Sequence, residues 1–373
     1  MVDRTLRDFP LGFFVEWNGT PGGGGAMGAC EYHAGGPPAD GGTGGGTGEG
    51  PGVPGPPGSL TPITVALGPP CDRPRARPPI GDARGMTGST MGPDAAIAMA
   101  GGRAAYEWAA RRRPFVHPMT TPAGDLLTID APDDHPWHHG LWFTVKFVND
   151  ENYWEEMAPY GVLRHRGRPE VSGGPGSGRV DGGLDWVRPD RETVVLREER
   201  TWSWHDLDPG AYALDLRTTL RPEVDVVLDR TPFTTWGGYG GLTLRGAPDW
   251  VDTRFLLGGS AGSEAAARDR LLGEPAPWCE CSGRFPSGRT GGALLLDHPE
   301  NHRHPVPWYG STRNELYGDE GWSNFLCAAF LFHEPLALAA GEPLEVRHRV
   351  ICHDDAWDAE RCATEWHRWV SET

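Results

Sequence analysis

From residue 141 to 148 two sets of positions alternate, Leu141, Phe143, Val145 and Phe147 against Trp142, Thr144, Lys146 and Val148. Tyr212, Leu214, Leu216, Thr218 and Leu220 alternate with Ala213, Asp215, Arg217 and Thr219. Leu344, Val346, His348 and Val350 alternate with Glu345, Arg347 and Arg349, and the run TVVLREERTWSW at 193–204 is β-branched and then aromatic. Period two predicts strands with one face on a core and the other in water. Gly, Pro and Asp turns separate these runs, and most have no helix-length segment between them. The pattern therefore predicts an all-β fold, a large antiparallel β-sandwich, rather than a doubly wound sheet. One helix is expected at the C-terminus, where Ala356, Ala359, Ala363, Trp366 and Val370 recur every three or four residues and Asp354 or Asp355 can cap the start. A shorter helix is expected from Ser263 to Leu272, stopping at Gly273.

Composition divides the chain in two. Gly and Pro fill 90 of 373 positions, which excludes a helical bundle. Much of that Gly and Pro lies in residues 19–95, for example GGTGGGTGEGPGVPGPPG at 41–58. No apolar face recurs there to offset the entropy of ordering, so residues 1–95 are expected to be a flexible tail and 96–373 the folded domain. GC-rich DNA read in a wrong frame yields the same composition; Met86, Met91 and Met99 are the alternative starts. The 16 Trp, 12 Phe and 8 Tyr are enough for a real core.

The formal charge is −17, which makes nucleic acid and anionic membranes poor partners. Of the 34 basic residues only Lys146 is lysine, a preference read as codon bias. The longest apolar stretch, Phe325 to Ala340, is broken by His333, Glu334 and Pro335, so no spanning helix is expected. Seven scattered Cys and a start without a secretory pattern make cytoplasm the default location. Cys279 and Cys281 are closer together than zinc ligands usually are and are read as ordinary thiols.

Three clusters can carry chemistry. In the first, His135, Trp137, His138 and His139 stand in a loop entering a strand. These imidazoles can bind a divalent metal through His135, His138 and His139, move protons, or form a hydrogen-bonded knot. Adjacent His138 and His139 would face opposite ways in an extended segment. His117, between Phe115-Val116 and Pro118, and Glu155 in Trp154-Glu155-Glu156 are nearby candidates, with only one of the two glutamates needing to face inward. The second cluster runs from Thr235 to Arg245: Tyr239 offers a ring and a phenol, Arg245 a planar fork for an anion. The third, 297–308, sets His298 and His304 among prolines ahead of Trp308, as a rigid loop presenting an aromatic platform to a sugar would. No nucleophile elbow, dinucleotide fingerprint or HExxH motif is present.

Taken together, RPFVHPMTTPAGD (113–125), DDHPWHHGLWF (133–143), WEE (154–156), GYGGLTLR (238–245), LDHPENHRHPVPW (296–308) and EPLEVRHRVICHD (342–354) resemble the family catalogued as methane-oxygenase-like PmoA proteins, over about residues 96–370. The resemblance implies a supersandwich like those of galactose mutarotase and the sugar lyases, and a role in carbohydrate metabolism; methane oxidation is not carried over. The function expected is a carbohydrate-active enzyme, of lyase, hydrolase or epimerase type, acting on a sugar or keto sugar. His117, His135, His139 and Glu155 would be catalytic, and Trp137, Tyr239, Arg245, His298, His304 and Trp308 would bind a small carbohydrate. The alternatives are a non-catalytic carbohydrate-binding sandwich and a metal-dependent oxygenase or hydrolase.

Overall fold

The computed structural model describes residues 96–372 apart from 111, 235, 260–266 and 313–323. The expectations for 1–95, and for the first part of the 263–272 helix, lie outside the described residues. Every strand pairing among the described residues is antiparallel. Among the described residues the larger sheet has nine strands; Val194–Asp206, Ala211–Pro222, Leu344–Asp354, Thr290–Asp297 and Trp278–Arg284 follow one another across it. The second sheet has eight, with Phe115–Met119, Leu141–Thr144, Gly241–Arg245, Phe325–Ala328 and Pro307–Ser311 at its centre. One core joins them: Leu141, Phe143, Leu244 and Trp308 from the second sheet meet Trp186, Trp202, Leu214 and Val350 from the first. The fold is therefore the antiparallel β-sandwich that the alternation predicts. Register follows the pattern, as where Leu214 pairs with Val350 and Trp202 with Leu216.

The C-terminal helix, Ala359–Glu372, covers the outer face of the nine-stranded sheet. Its cap is Asp358 rather than Asp354 or Asp355, since the Asp358 carboxylate accepts the Arg361 N–H at 2.9 Å. Asp354 instead ends a strand, and Asp355 adopts φ 62°. The most buried stripe is Cys362, Glu365 and Trp369, one position off the expected one. The short helix expected up to Leu272 is overturned at its end: Arg270–Pro275 is a strand paired with Pro307–Ser311. No helix among the described residues is long and apolar enough to cross a membrane.

Leu141–Thr144 departs from the one-wet-face rule, because all four of its side chains are buried. Beyond the sandwich core, the other face of the eight-stranded sheet carries a second apolar layer that includes Trp142, Trp154, Tyr309, Phe325, Cys327 and Phe332. That layer forms the floor of the site.

Beneath the helix the larger sheet buries an ionisable pair. Glu280 is fully buried, and His353 Nε2 lies 3.6 Å from its Oε1. Burial pushes the Glu280 carboxyl up to about 7 and the His353 imidazole down to about 4. The raised carboxyl stabilises the fold below its ordinary pKa of about 4.5, and that contribution is lost as pH rises through 7. At about 1.4 kcal/mol for each pH unit of that interval, the loss reaches about 3 kcal/mol. His353 acts oppositely, costing stability as pH falls from 6.5 towards 4. We expect Glu280→Gln to unfold at higher urea than the native chain at pH 8 and at nearly the same urea at pH 5. Equal midpoints at pH 8 would remove Glu280 from this role.

Candidate active site

The chain leaves the eight-stranded sheet at Thr144, passes Lys146, and enters a small four-stranded sheet at Phe147–Val148. Asn149 and Asp150, at φ 49° and 65°, make a two-residue hairpin turn onto Glu151–Asn152. The hairpin folds the backbone onto itself, and the Tyr153 N–H donates to the Lys146 carbonyl at 2.9 Å. The Asn152 side chain then accepts the N–H groups of Trp154 and Glu155 at 2.8 and 3.1 Å. This turn seats Glu155 beside Lys146. Arg113, also buried, donates to the carbonyls of Tyr153, Trp154 and Trp137. One guanidinium thus ties the histidine loop to the Trp-Glu-Glu turn.

Between them opens a cavity of about 260 Å³ lined by His135, Trp137, His138, Trp154, Glu155, Met157, Trp236, Tyr239 and Phe325. On its wall Glu155 Oε1 accepts from the Lys146 ammonium and from the Tyr239 hydroxyl, the latter at 3.2 Å. Lys146 Nζ is also 3.5 Å from that hydroxyl. Glu155 Oε2 is buried, with no hydrogen-bond partner among the described residues. Burial raises the Tyr239 phenol well above its ordinary value, with Glu155 adding to the effect, so the phenol keeps its proton. Burial lowers Lys146 while Glu155 opposes that shift.

His138 is buried beneath the loop with its ring parallel to that of His135, 4.6 Å away. Arg245 approaches His138 Nδ1 at 3.3 Å and holds Asp134 at 2.8 Å. Because Arg can only donate, His138 Nδ1 is the acceptor and its proton sits on Nε2. Burial first, and Arg245 next, push His138 well below its ordinary value. Asp134 also contacts His135 Nδ1 at 3.0 Å and so orients that ring.

Of the residues singled out in the sequence, the pocket brings together His135, Trp137, His138, Glu155 and Tyr239. Arg245 is buried, held by Asp134, and is not among the residues that line the cavity. His139 points the other way, with Nδ1 on Asp130 at 2.6 Å, Nε2 on Glu156 at 2.8 Å, and its ring stacked on Phe115. His117 bonds Thr128 at 2.9 Å and does not line the cavity. The expected metal triad does not converge, since His135 and His138 stack face to face and His139 is turned away. Among the described residues no group of three or more His, Cys, Asp or Glu side chains could hold a metal ion.

The third cluster does not line this cavity, and its imidazoles serve packing instead. His304 binds the buried Asp297 at 2.7 Å and stacks on Trp366, while His298 packs against Trp369, so both rings seat the C-terminal helix. Trp308 is fully buried and donates to the Ala276 carbonyl at 2.9 Å, so it offers no platform. Cys279 and Cys281 are buried and their thiols pushed well above the ordinary value, which leaves them unreactive. Residues given no role in the sequence reading are Lys146, Trp154, Trp236, Met157 and Phe325. Lys146 alone carried a signal, as the single lysine in the chain.

A model described as a family of unknown function, DUF6807, matches residues 99–367. That match overturns the expected kinship with PmoA-like proteins, to which nothing in the comparisons points. No curated protein matches the chain. Among solved structures, a GalM/aldose epimerase homologue from C. elegans matches at 8% identity, covering 70% of this chain and 99% of that one, with a TM-score of 0.28.

Proposed function

We propose, for a chain that belongs to the family of unknown function DUF6807, a carbohydrate-active enzyme that moves a proton next to the carbonyl of an oxidised sugar. The observation carrying this reading is the state of Glu155. One oxygen is fixed by an ammonium and a phenol, the other is buried with no hydrogen-bond partner among the described residues, and the side chain belongs to the lining of an aromatic pocket. A carboxylate so placed suits general base chemistry. Aromatic side chains such as Trp137 and Trp154 suit the apolar face of a sugar ring, and the cavity, at about 260 Å³, is sized for one ring rather than for an oligosaccharide.

In this reading the Glu155 carboxylate takes the proton from the carbon beside the carbonyl, and the electron pair moves onto the carbonyl oxygen. Return of a proton to that carbon gives epimerisation; departure of a group from the next carbon gives elimination. Tyr239, whose phenol stays protonated, and His135, oriented by Asp134, are the proton donors. Direct glycoside hydrolysis fits less well. It generally needs two carboxylates across the scissile bond, and Glu155 is the one carboxylate among the lining residues described.

The test is a mass-spectrometric screen of 3-keto and unmodified glycosides, with and without added divalent metal. New product from keto sugars alone supports the reading. Binding with no product in any condition assigns a non-catalytic lectin-like role, and product only with added metal assigns metal-dependent chemistry.

A further inference from the structure

Eight large apolar side chains are exposed among the described residues, and two of them, Met157 at 59% and Trp236 at 48%, lie on this one pocket. Beneath them Trp154, Phe325 and Glu155 are all buried. The pocket therefore has an ionisable, closed floor and an open, apolar lip. Tryptophan is seldom left so exposed without a partner for its face.

The lip is built rather than frayed. The Gly238 N–H donates to the Thr231 carbonyl at 2.7 Å and the Thr234 N–H to the Trp236 carbonyl at 3.1 Å. Gly237 and Gly238, at φ 113° and 79°, make a turn that side-chain-bearing residues rarely adopt. A Cβ on Gly237 would fall 2.8 Å from the Pro232 carbonyl oxygen, and one on Gly238 2.4 Å from the Phe332 ring. The same turn sets Trp236 at the mouth and sends Tyr239 to Glu155. Met157 leads from the other loop, two residues beyond Glu155, and its unbranched thioether adapts to flat surfaces.

We propose that Trp236 and Met157 form a subsite for a flat apolar substituent on the sugar, so that the substrate class is aryl glycosides or their keto derivatives. This rests on the pocket's being a sugar site. The polar ring enters towards Glu155, and the aglycone lies across Trp236.

Calorimetric binding of methyl β-D-glucoside, phenyl β-D-glucoside, the 3-keto form of each, cellobiose and phenol tests it. For native protein we expect a phenyl form to bind roughly tenfold more tightly than its methyl partner. In Trp236→Ala that ratio should fall below about threefold, and Trp236→Phe should restore most of it. A phenyl-to-methyl ratio near one in the native protein, or one unmoved by Trp236→Ala, overturns the subsite and leaves the sugar reading standing. Cellobiose binding more tightly than phenyl glucoside also overturns it, by giving the lip to a second sugar ring. Phenol binding as tightly as phenyl glucoside, or no glycoside binding at all, defeats the sugar site and the subsite together.

Discussion

Glu155→Gln lowers turnover of the keto glycoside by about 10²–10⁴ while changing its affinity less than tenfold. The replacement keeps the side-chain size and leaves an oxygen that can still accept from Lys146 and Tyr239. It removes the ability to take a proton. Rate and affinity should therefore separate, which distinguishes a proton carrier from a residue that only shapes the pocket. The variant also leaves the Lys146 ammonium without its counter-charge, so the comparison belongs at a temperature where a melt shows both proteins folded. A native-like rate from folded Glu155→Gln would strip Glu155 of the role of base. Glu156→Gln supplies the contrast: its carboxylate faces Arg112, Arg113 and His139, away from the cavity. Its effect should fall on stability.

The parts of the fold readable in the sequence are those where one face of an element is wet. Tyr212, Leu214, Leu216 and Leu220 stand on the core side of a strand whose other face carries Asp215 and Arg217, and alternation reports that directly. Leu141–Thr144 reads less well because it is buried on both faces, and alternation cannot show that a second apolar layer exists. The site was half legible for a related reason. His135, Trp137, Glu155 and Tyr239 are unusual residues in unusual local company, and they do share a pocket. His298, His304 and Trp308 look equally unusual locally. Their partners, however, are the buried Asp297, the Ala276 carbonyl from another strand connection, and Trp366 and Trp369 of a helix more than fifty residues beyond Trp308. Trp236 and Met157 had no local signature, since exposure beside a cavity is a tertiary property. Lys146 did have one. Codon bias accounts for 33 arginines but not for the remaining lysine. At Lys146 a compact ammonium meets the buried Glu155 carboxylate, where arginine would bring a wider five-donor fork.

Lys146→Met should lower stability by about 3–5 kcal/mol, because it leaves the Glu155 carboxylate buried with only a phenol beside it. At about 2–4 °C for each kcal/mol in a domain of this size, the melt moves down by roughly 10 °C. Lys146→Arg keeps the charge but must place a wider planar head where the native side chain is almost fully buried. It should melt above the Met variant and still lose turnover, as the single ammonium contact to Oε1 is replaced by a fork. The discriminating measurement is the double variant Lys146→Met with Glu155→Gln. If the cost of losing Lys146 is an orphaned carboxylate, neutralising that carboxylate returns much of the stability, and the double variant melts above Lys146→Met alone. A coupling of about 1–3 kcal/mol in the cycle is expected for groups in direct contact. Strict additivity of the two losses would mean that Lys146 acts through packing alone, and the assignment of its ammonium as the counter-charge that holds Glu155 in place would fail.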